Sequence, residues 1–362
     1  MNKRYSILFS ESEGFYRKLG LADCNKCIYE FDGMRKYKHE AIEFESYDLF
    51  VCAFYTMPHN SIITHKFHNL GKKTALCADG VFDFSNSFNN VMLKKYDMSL
   101  FHPIMQMYFL CVGDYEYKYF SHLCNVIKYR PKRMFSSELI ALKSADTKVL
   151  VTTANTAYFD DLDFERLVNL LVGVCQLLVE KNVDFSFRIF DEKLLNSMKD
   201  FLGEHVENDT AGSFEECLAS YSHVISTPSS IVLTSMYHQR PVVTLCYRDF
   251  PFSVQSGWMI SSSQMFVDSF DSFISSDHER IDIQEKLIST LSQDNLSCAI
   301  TKILADKQME KKFLSLECYF NKSMYNMLNS KFNFNFEWFV RRVYCKLNRL
   351  EFIKRIRVYV KW

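Results

Sequence analysis

The segment Ser213–Leu245, SFEECLASYSHVISTPSSIVLTSMYHQRPVVTL, limits the fold more than any other part of the chain. Its pattern predicts a helix over 214–221, a strand over 223–226, a tight bend, a helix over 230–238 and a strand over 241–245. The bend Ser226-Thr227-Pro228-Ser229-Ser230 is dense in hydroxyls and opens directly onto a helix. A helix start carries unpaired N–H groups and a partial positive charge, so it suits an anion. The closing run Arg240-Pro241-Val242-Val243-Thr244-Leu245 is short and β-branched, with Pro near its start, as in a buried parallel strand. The implied unit is an α/β domain that holds an anion at the carboxyl end of a strand.

The same alternation runs through most of the chain. Strands are predicted at 5–9, 47–54, 74–78 and 109–113, with Asp114 capping a helix over 115–120. Residues 128–146 contain Pro131 and a basic cluster and no strand pattern, so they mark a connector. The pattern restarts with a strand at 148–152, a polar loop at 153–161 and a helix from about 163 to 181. That helix carries Phe164, Leu167, Leu170, Leu171, Val174, Leu177 and Leu178 on one face. A strand at 184–190 and a helix at 194–202 follow. At 362 residues the chain has room for two such units. The expected organisation is a Rossmann-like domain at 1–140, a second at 147–325, and a separate segment at 326–362.

The end segment is distinct in charge. Residues 331–362 hold nine Lys and Arg (Lys331, Arg341, Arg342, Lys346, Arg349, Lys354, Arg355, Arg357, Lys361) against Glu337 and Glu351, while the whole chain is neutral with 43 basic and 43 acidic residues. Leu347, Leu350, Ile353 and Ile356 recur at three-residue steps among Trp338, Tyr344, Tyr359 and Trp362. A basic amphipathic helix with aromatic anchors suits an anionic membrane surface, and equally suits a helix packed back on the body with a solvated basic face. No groove-reading motif accompanies the charge, so nucleic acid is not an expected partner.

Other classes are set aside on the residues present. Apolar content of 48% and charged content of 24% are those of a folded, soluble chain. The twelve cysteines are scattered, and the one close pair, Cys24 and Cys27, has no second pair to complete a zinc ribbon, so reduced thiols are expected. No apolar region follows Met1-Asn2-Lys3-Arg4, and no apolar run reaches the ~18 residues of a membrane span. These features predict a cytoplasmic protein, peripheral at the membrane if the end segment binds lipid. Asp161-Leu162-Asp163 spells an Asp-x-Asp metal pair but abuts a helix start, where acids serve the dipole and cap. No metal and no cofactor is expected. There is no glycine-rich phosphate loop and no nucleophile elbow.

Two α/β units with a hydroxyl bend late in the second resemble the GT-B glycosyltransferases. Tyr221–Val243 is similar to the part of that fold that holds the donor's phosphate, and the likeness covers residues 147–260 well and the first half in outline. Bacterial transferases that build capsule or lipopolysaccharide, of the sialyltransferase-like or Kdo-transferase-like type, are the most similar in character. Their donors are CMP-linked. Asp79-Gly80 matches the end of their acidic-acidic-Gly motif, with Ala78 where the first acid stands. Ser229-Ser230 matches their hydroxyl pair. His102-Pro103 matches His-Pro in letters but lies in the first half rather than the second.

The resemblance implies a metal-independent, inverting transfer of a sugar from a nucleotide donor to a glycolipid or polysaccharide. The first expectation for the donor is a CMP-linked acidic sugar, ahead of UDP-linked hexoses. A noncatalytic nucleotide- or glycan-binding subunit on the same scaffold is the alternative. Asp79, just past a predicted strand, is the expected general base, with Asp83 as a substitute, and Gly80 lets the backbone turn there. Thr227, Ser229 and Ser230 are expected on phosphate. His102 is a candidate donor to phosphate or sugar, and His59 also follows a strand. Thr153 and Asn155, in the loop after the first strand of the second domain, are candidate donor contacts. Arg240 is a candidate second cation or an exposed helix-end charge. All of this requires that the 227–230 bend open into a crevice between the domains.

Overall fold

The computed structural model describes residues 4–54, 58–94, 99–102, 104–135, 138–203 and 206–307. The expected basic helix at 331–362 lies outside the described residues. In the first half, β1 (Tyr5–Phe9), α1 (Glu13–Lys18), β2 (Cys27–Glu30), β3 (Leu49–Cys52), α2 (Pro58–Asn69), β4 (Lys73–Cys77), α3 (Phe84–Asn89), α4 (Val91–Lys94), β5 (Tyr108–Cys111), α5 (Asp114–Phe120) and β6 (Asn125–Lys128) succeed one another. The second half contains β7 (Lys148–Thr152), α6 (Asp161–Glu180), β8 (Asp184–Arg188), α7 (Glu192–Leu202), α8 (Phe214–Leu218), β9 (His223–Ser226), α9 (Ser230–Tyr237), β10 (Val242–Leu245), β11 (Trp258–Ile260), α10 (Ser263–Ile274), α11 (His278–Ser289) and α12 (Leu296–Ala305).

Each half is built on one parallel sheet. The first has the order β2-β1-β3-β4-β5-β6 and the second β11-β10-β9-β7-β8. Central strands such as Leu49–Cys52, Tyr108–Cys111 and Val242–Leu245 are buried along their whole length, as apolar runs covered on both faces must be. One face of the first sheet packs Phe50, Phe67, Phe109 and Phe120 together. The second sheet buries Leu167, Leu171, Val174 and Leu178 of α6 with Phe187 and Trp258. The two-domain α/β expectation is met.

The differences from expectation are local. Strands β2, β6 and β11 carry no clear strand pattern in the sequence: the first two are half-buried edge strands, and the third has three residues. Asp114 is the first residue of α5 and Gly113 is its N-cap, because Glu116 reaches back to the Gly113 N–H and leaves Asp114 to pair with Lys128. Arg240 is neither exposed nor aimed at a ligand. It is buried, and its guanidinium bonds three carbonyls: Tyr221 at 3.0 Å, His238 at 2.8 Å and Ile140 at 2.8 Å. It therefore ties the connector to the second domain. The chain finally returns to the first domain: Leu296, Ala299, Ile300 and Ile303 of α12 share a core with Ile7, Leu19 and Leu21. Lys73 Nζ donates to the α12 carbonyls of Ile303 (2.7 Å) and Leu304 (3.2 Å), as a cation at a helix C-terminus should.

Candidate functional site

In each sheet the strand order reverses beside the first strand used. The switch points lie between β1 and β3 in the first domain and between β7 and β9 in the second. Ligands in open α/β sheets bind outside the carboxyl ends of strands at such points. The 227–230 bend follows β9 and stands beside the loop after β7. Thr227 is fully buried, and its Oγ1 accepts from Ala154 N–H at 2.7 Å. This hydroxyl shapes the 153–157 loop. Thr153 is buried beneath that loop and Asn155 is exposed on it.

The bend faces the other domain. Ser230 Oγ accepts from Val81 N–H at 3.2 Å. A Cβ placed on Gly80 would lie 2.5 Å from Ser230 Oγ and 3.3 Å from Arg133 Nη2. Gly80 is thus needed for the close approach of the second domain, and it is absent from the residues with positive φ, so the expected sharp turn is not its role. Asp79, two residues past β4, sits beside this contact, 44% exposed and 3.5 Å from Arg133 Nη2. Ser229 is the N-cap residue of α9, yet its side chain makes no capping bond, and its Oγ is buried without a hydrogen-bond partner. An orphaned buried hydroxyl costs about 1–3 kcal/mol unless something fills its hydrogen bond.

Among the described residues the bend does not open into a wide crevice. The space lined by Val81, Asp83, Pro228, Ser229, Arg248 and Ser253 amounts to ≈ 10 Å³, room for a single water. Three contacts shut it. Ser230 meets Val81, the Ser253 hydroxyl donates to the Phe82 carbonyl, and Arg248 Nη1 pairs with Asp83 Oδ2 at 2.9 Å. Asp83 is also the N-cap of α3, accepting from Ser85 N–H at 2.9 Å. It is a cap and an ion-pair partner, which leaves it poorly placed as a substitute base in this closed arrangement.

The two histidines are engaged within the first domain. His102 contacts Leu100 O at 2.9 Å and Ser87 Oγ at 3.1 Å through Nδ1, and Tyr119 OH at 2.8 Å through Nε2. Its ring packs among Phe82, Phe88 and Phe120. His59 is buried, its ring edge-on to Tyr37 at 4.6 Å. Asp161 and Asp163 occupy the first turn of α6, where Asp160 caps by accepting from Asp163 N–H at 2.8 Å.

Two groups escaped the sequence reading. Arg248, on the loop after β10, is 6% exposed. Its Nη2 donates to Thr156 O (3.2 Å) and to Ala157 O, and its Nε is buried without a partner. Its signal was a lone Arg just past a β-branched strand, in a loop rich in Phe and Pro. Glu11 follows β1 at the first domain's switch point. It accepts from Tyr16 OH, from Ala53 N–H at 3.1 Å and from Asn60 Nδ2 at 3.2 Å. Burial raises its carboxyl above the usual range despite those bonds. Glu11 locks the loops after β1 and β3 together.

The sequence matches no protein-family model and no curated protein. The fold matches solved structures at low identity. A putative UDP-N-acetylglucosamine 2-epimerase from Listeria monocytogenes superimposes with a TM-score of 0.56 at 9% identity, over 86% of this chain and 100% of the other. HepE (Alr3699) of Anabaena, solved with UDP and glucose, gives 0.52 at 10%, over 84% and 100%. MnaA of S. aureus, solved with UDP, gives 0.50 at 13%, over 84% and 95%. The architecture is therefore the GT-B-like arrangement of two parallel α/β sheets.

Proposed function

We propose that this protein is a nucleotide-sugar enzyme of the glycosyltransferase type that binds its donor between the two domains, with the donor's phosphate at the start of α9. The observation that carries this is the Ser229 hydroxyl: buried, unpartnered, on a helix start, and facing the opposite sheet's carboxyl end. The donor we favour is UDP-linked rather than the CMP-linked acidic sugar suggested by the hydroxyl pair. The fold neighbours are named for UDP or UDP-sugars, and His102 is held among aromatic rings with both ring nitrogens engaged.

On this plan Asp79 takes the proton from the acceptor hydroxyl. The acceptor oxygen bonds to the sugar's anomeric carbon, the bond from that carbon to the phosphate oxygen breaks, and its electron pair leaves with the nucleotide. Ser229, Ser230 and the α9 amides stabilise that leaving charge. Gly80 lets the second domain come close to Asp79, and Thr153 and Asn155 border the donor. The domains must part to admit it, with the 128–146 connector and the return of the chain between α11 and α12 as the hinge. The acceptor is a glycolipid or polysaccharide, and contact of 331–362 with an anionic membrane would bring it near.

Asp79→Asn tests the assignment. Nucleotide release from UDP-sugars in the presence of acceptor should fall by about 10²–10⁴, while UDP binding stays within twofold of wild type. Near-normal turnover would remove Asp79 as the base. A second reading, conversion of the donor's own sugar, is favoured by the full-length match to the 2-epimerase structure. NMR of a UDP-sugar incubated alone separates the two: a new sugar stereoisomer without acceptor supports the second.

A further inference from the structure

We infer that Arg248 is the second half of the anion site and that the Asp83 carboxylate stands in for a phosphate group, so that ligand binding exchanges one for the other and unlatches the domains. This rests on the phosphate placement proposed above. The Arg248 side chain is 2% exposed, against 29% for Asp83. On its own domain the guanidinium is held by the Thr156 and Ala157 carbonyls and lies 5.0 Å from the Phe159 ring and 5.2 Å from the Tyr247 ring. All of these contacts are to its own domain. Its bond across the cleft is the one to Asp83.

A buried cation needs a counter-charge, because an unpaired charge in a low-dielectric site is expensive. Parting the domains with the site empty would break the ion pair with Asp83 and leave Arg248 only the non-bonded Asp163 of its own domain as a counter-charge. A phosphate ester supplies a bonded one and adds what the carboxylate leaves unmet. One carboxylate oxygen meets Nη1 only, while Nε and the Ser229 hydroxyl, both lining the same space, have no partner. A phosphate carries three acceptor oxygens and can answer all of these donors. Asp83, once released, keeps its place as the α3 cap. The ligand class is a phosphate monoester or diphosphate, and the latch holds the empty protein shut.

Latching lowers apparent affinity by the fraction of molecules that are open, so weakening the latch should tighten binding. Pyrophosphate and UDP are titrated calorimetrically into the full-length protein. Asp83→Asn preserves the cap and should bind pyrophosphate about fivefold or more tightly than wild type, and Arg248→Gln should bind it about tenfold or more weakly. In wild type, saturating pyrophosphate should also speed hydrogen exchange of the 79–85 backbone, which decides the matter if a variant does not fold. Equal pyrophosphate affinity in Asp83→Asn and wild type, or unchanged or slower 79–85 exchange, overturns the exchange. If pyrophosphate behaves as stated and UDP binds neither protein, the latch stands and the nucleotide-sugar proposal falls.

Discussion

Adding one methyl group at Gly80 should open the cleft without unfolding either domain. The new Cβ would lie 2.5 Å from Ser230 Oγ, where ordinary contact begins at 3.4 Å, so that oxygen must recede by the difference, about 0.9 Å. It can do so by rotating, which abandons the Val81 N–H it now accepts from, or by the whole bend moving back. Overpacking costs about 1–3 kcal/mol, and a lost hydrogen bond about 0.5–1.5 kcal/mol. A closed state weakened by about 1–2 kcal/mol shifts the open-to-closed ratio roughly 5- to 30-fold. The remedy is built into the same pair. With Ser230→Ala the new Cβ faces the residue-230 Cβ at 3.8 Å, an ordinary contact, so the double variant Gly80→Ala/Ser230→Ala should close again through the Arg248–Asp83 and Ser253–Phe82 contacts, short only of the Val81 bond. Small-angle scattering for the radius of gyration and hydrogen exchange at 79–85 read the closure, and thermal melting reads the cores. The reasoning is refuted if Gly80→Ala stays as compact as wild type, or if Ser230→Ala fails to restore closure. A fall in melting temperature without opening would mean that the strain enters the cores and that no hinge relieves it.

Two further outcomes follow from buried charged and titratable groups. Arg240→Ala removes three charge-assisted bonds to carbonyls, each worth about 1.5–3 kcal/mol and not additive, so a loss of roughly 3 kcal/mol in urea unfolding is expected, with earlier proteolysis in the 128–146 connector; a loss under about 1 kcal/mol contradicts the clamp. Burial, aided by neighbouring Arg240, pulls His238 down to about 4, and burial with nearby His65 does the same to His68. Both lie below the ordinary ~6.5, so the unfolded chain binds protons that the folded chain refuses. Stability is then complete above pH ~6.5 and falls toward pH ~4, by up to about 1.4 kcal/mol per pH unit for His238. Glu11 and Glu116, raised by burial, slope the other way in the acid part of that window. Urea midpoints between pH 5 and 7 should show this, and His238→Gln should flatten the slope; an unaltered slope would contradict the assignment.

What the chain disclosed from its own letters was what neighbouring residues decide together. The β-branched run at 242–245, the stripe on α6 and the hydroxyl bend at 227–230 each carry their period or turn chemistry within a few positions, and they fold as expected. Edge strands were missed because half-exposed strands mix polar and apolar residues, as Asn125-Val126-Ile127-Lys128 does. The site was legible only in part, for a different physical reason. Ser229 and Ser230 announce a helix start, but whether such a start is open or shut is settled by residues far along the chain. Ser230 meets Val81 at a separation of 149 positions, Arg248 meets Asp83 at 165, and Ser253 meets Phe82 at 171. No local pattern encodes those pairings, and each is made by a residue whose local reading is ordinary: a turn glycine's neighbour, a cap aspartate, a loop arginine. Such contacts line one edge of a domain boundary that also shares a buried cluster, in which Leu150, Val224 and Val242 lie with Ile7, Val51 and Leu110, so their loss acts on the cleft while that cluster still joins the two halves. The residues that govern access to the site are therefore the ones a variant can alter with the least damage to either sheet.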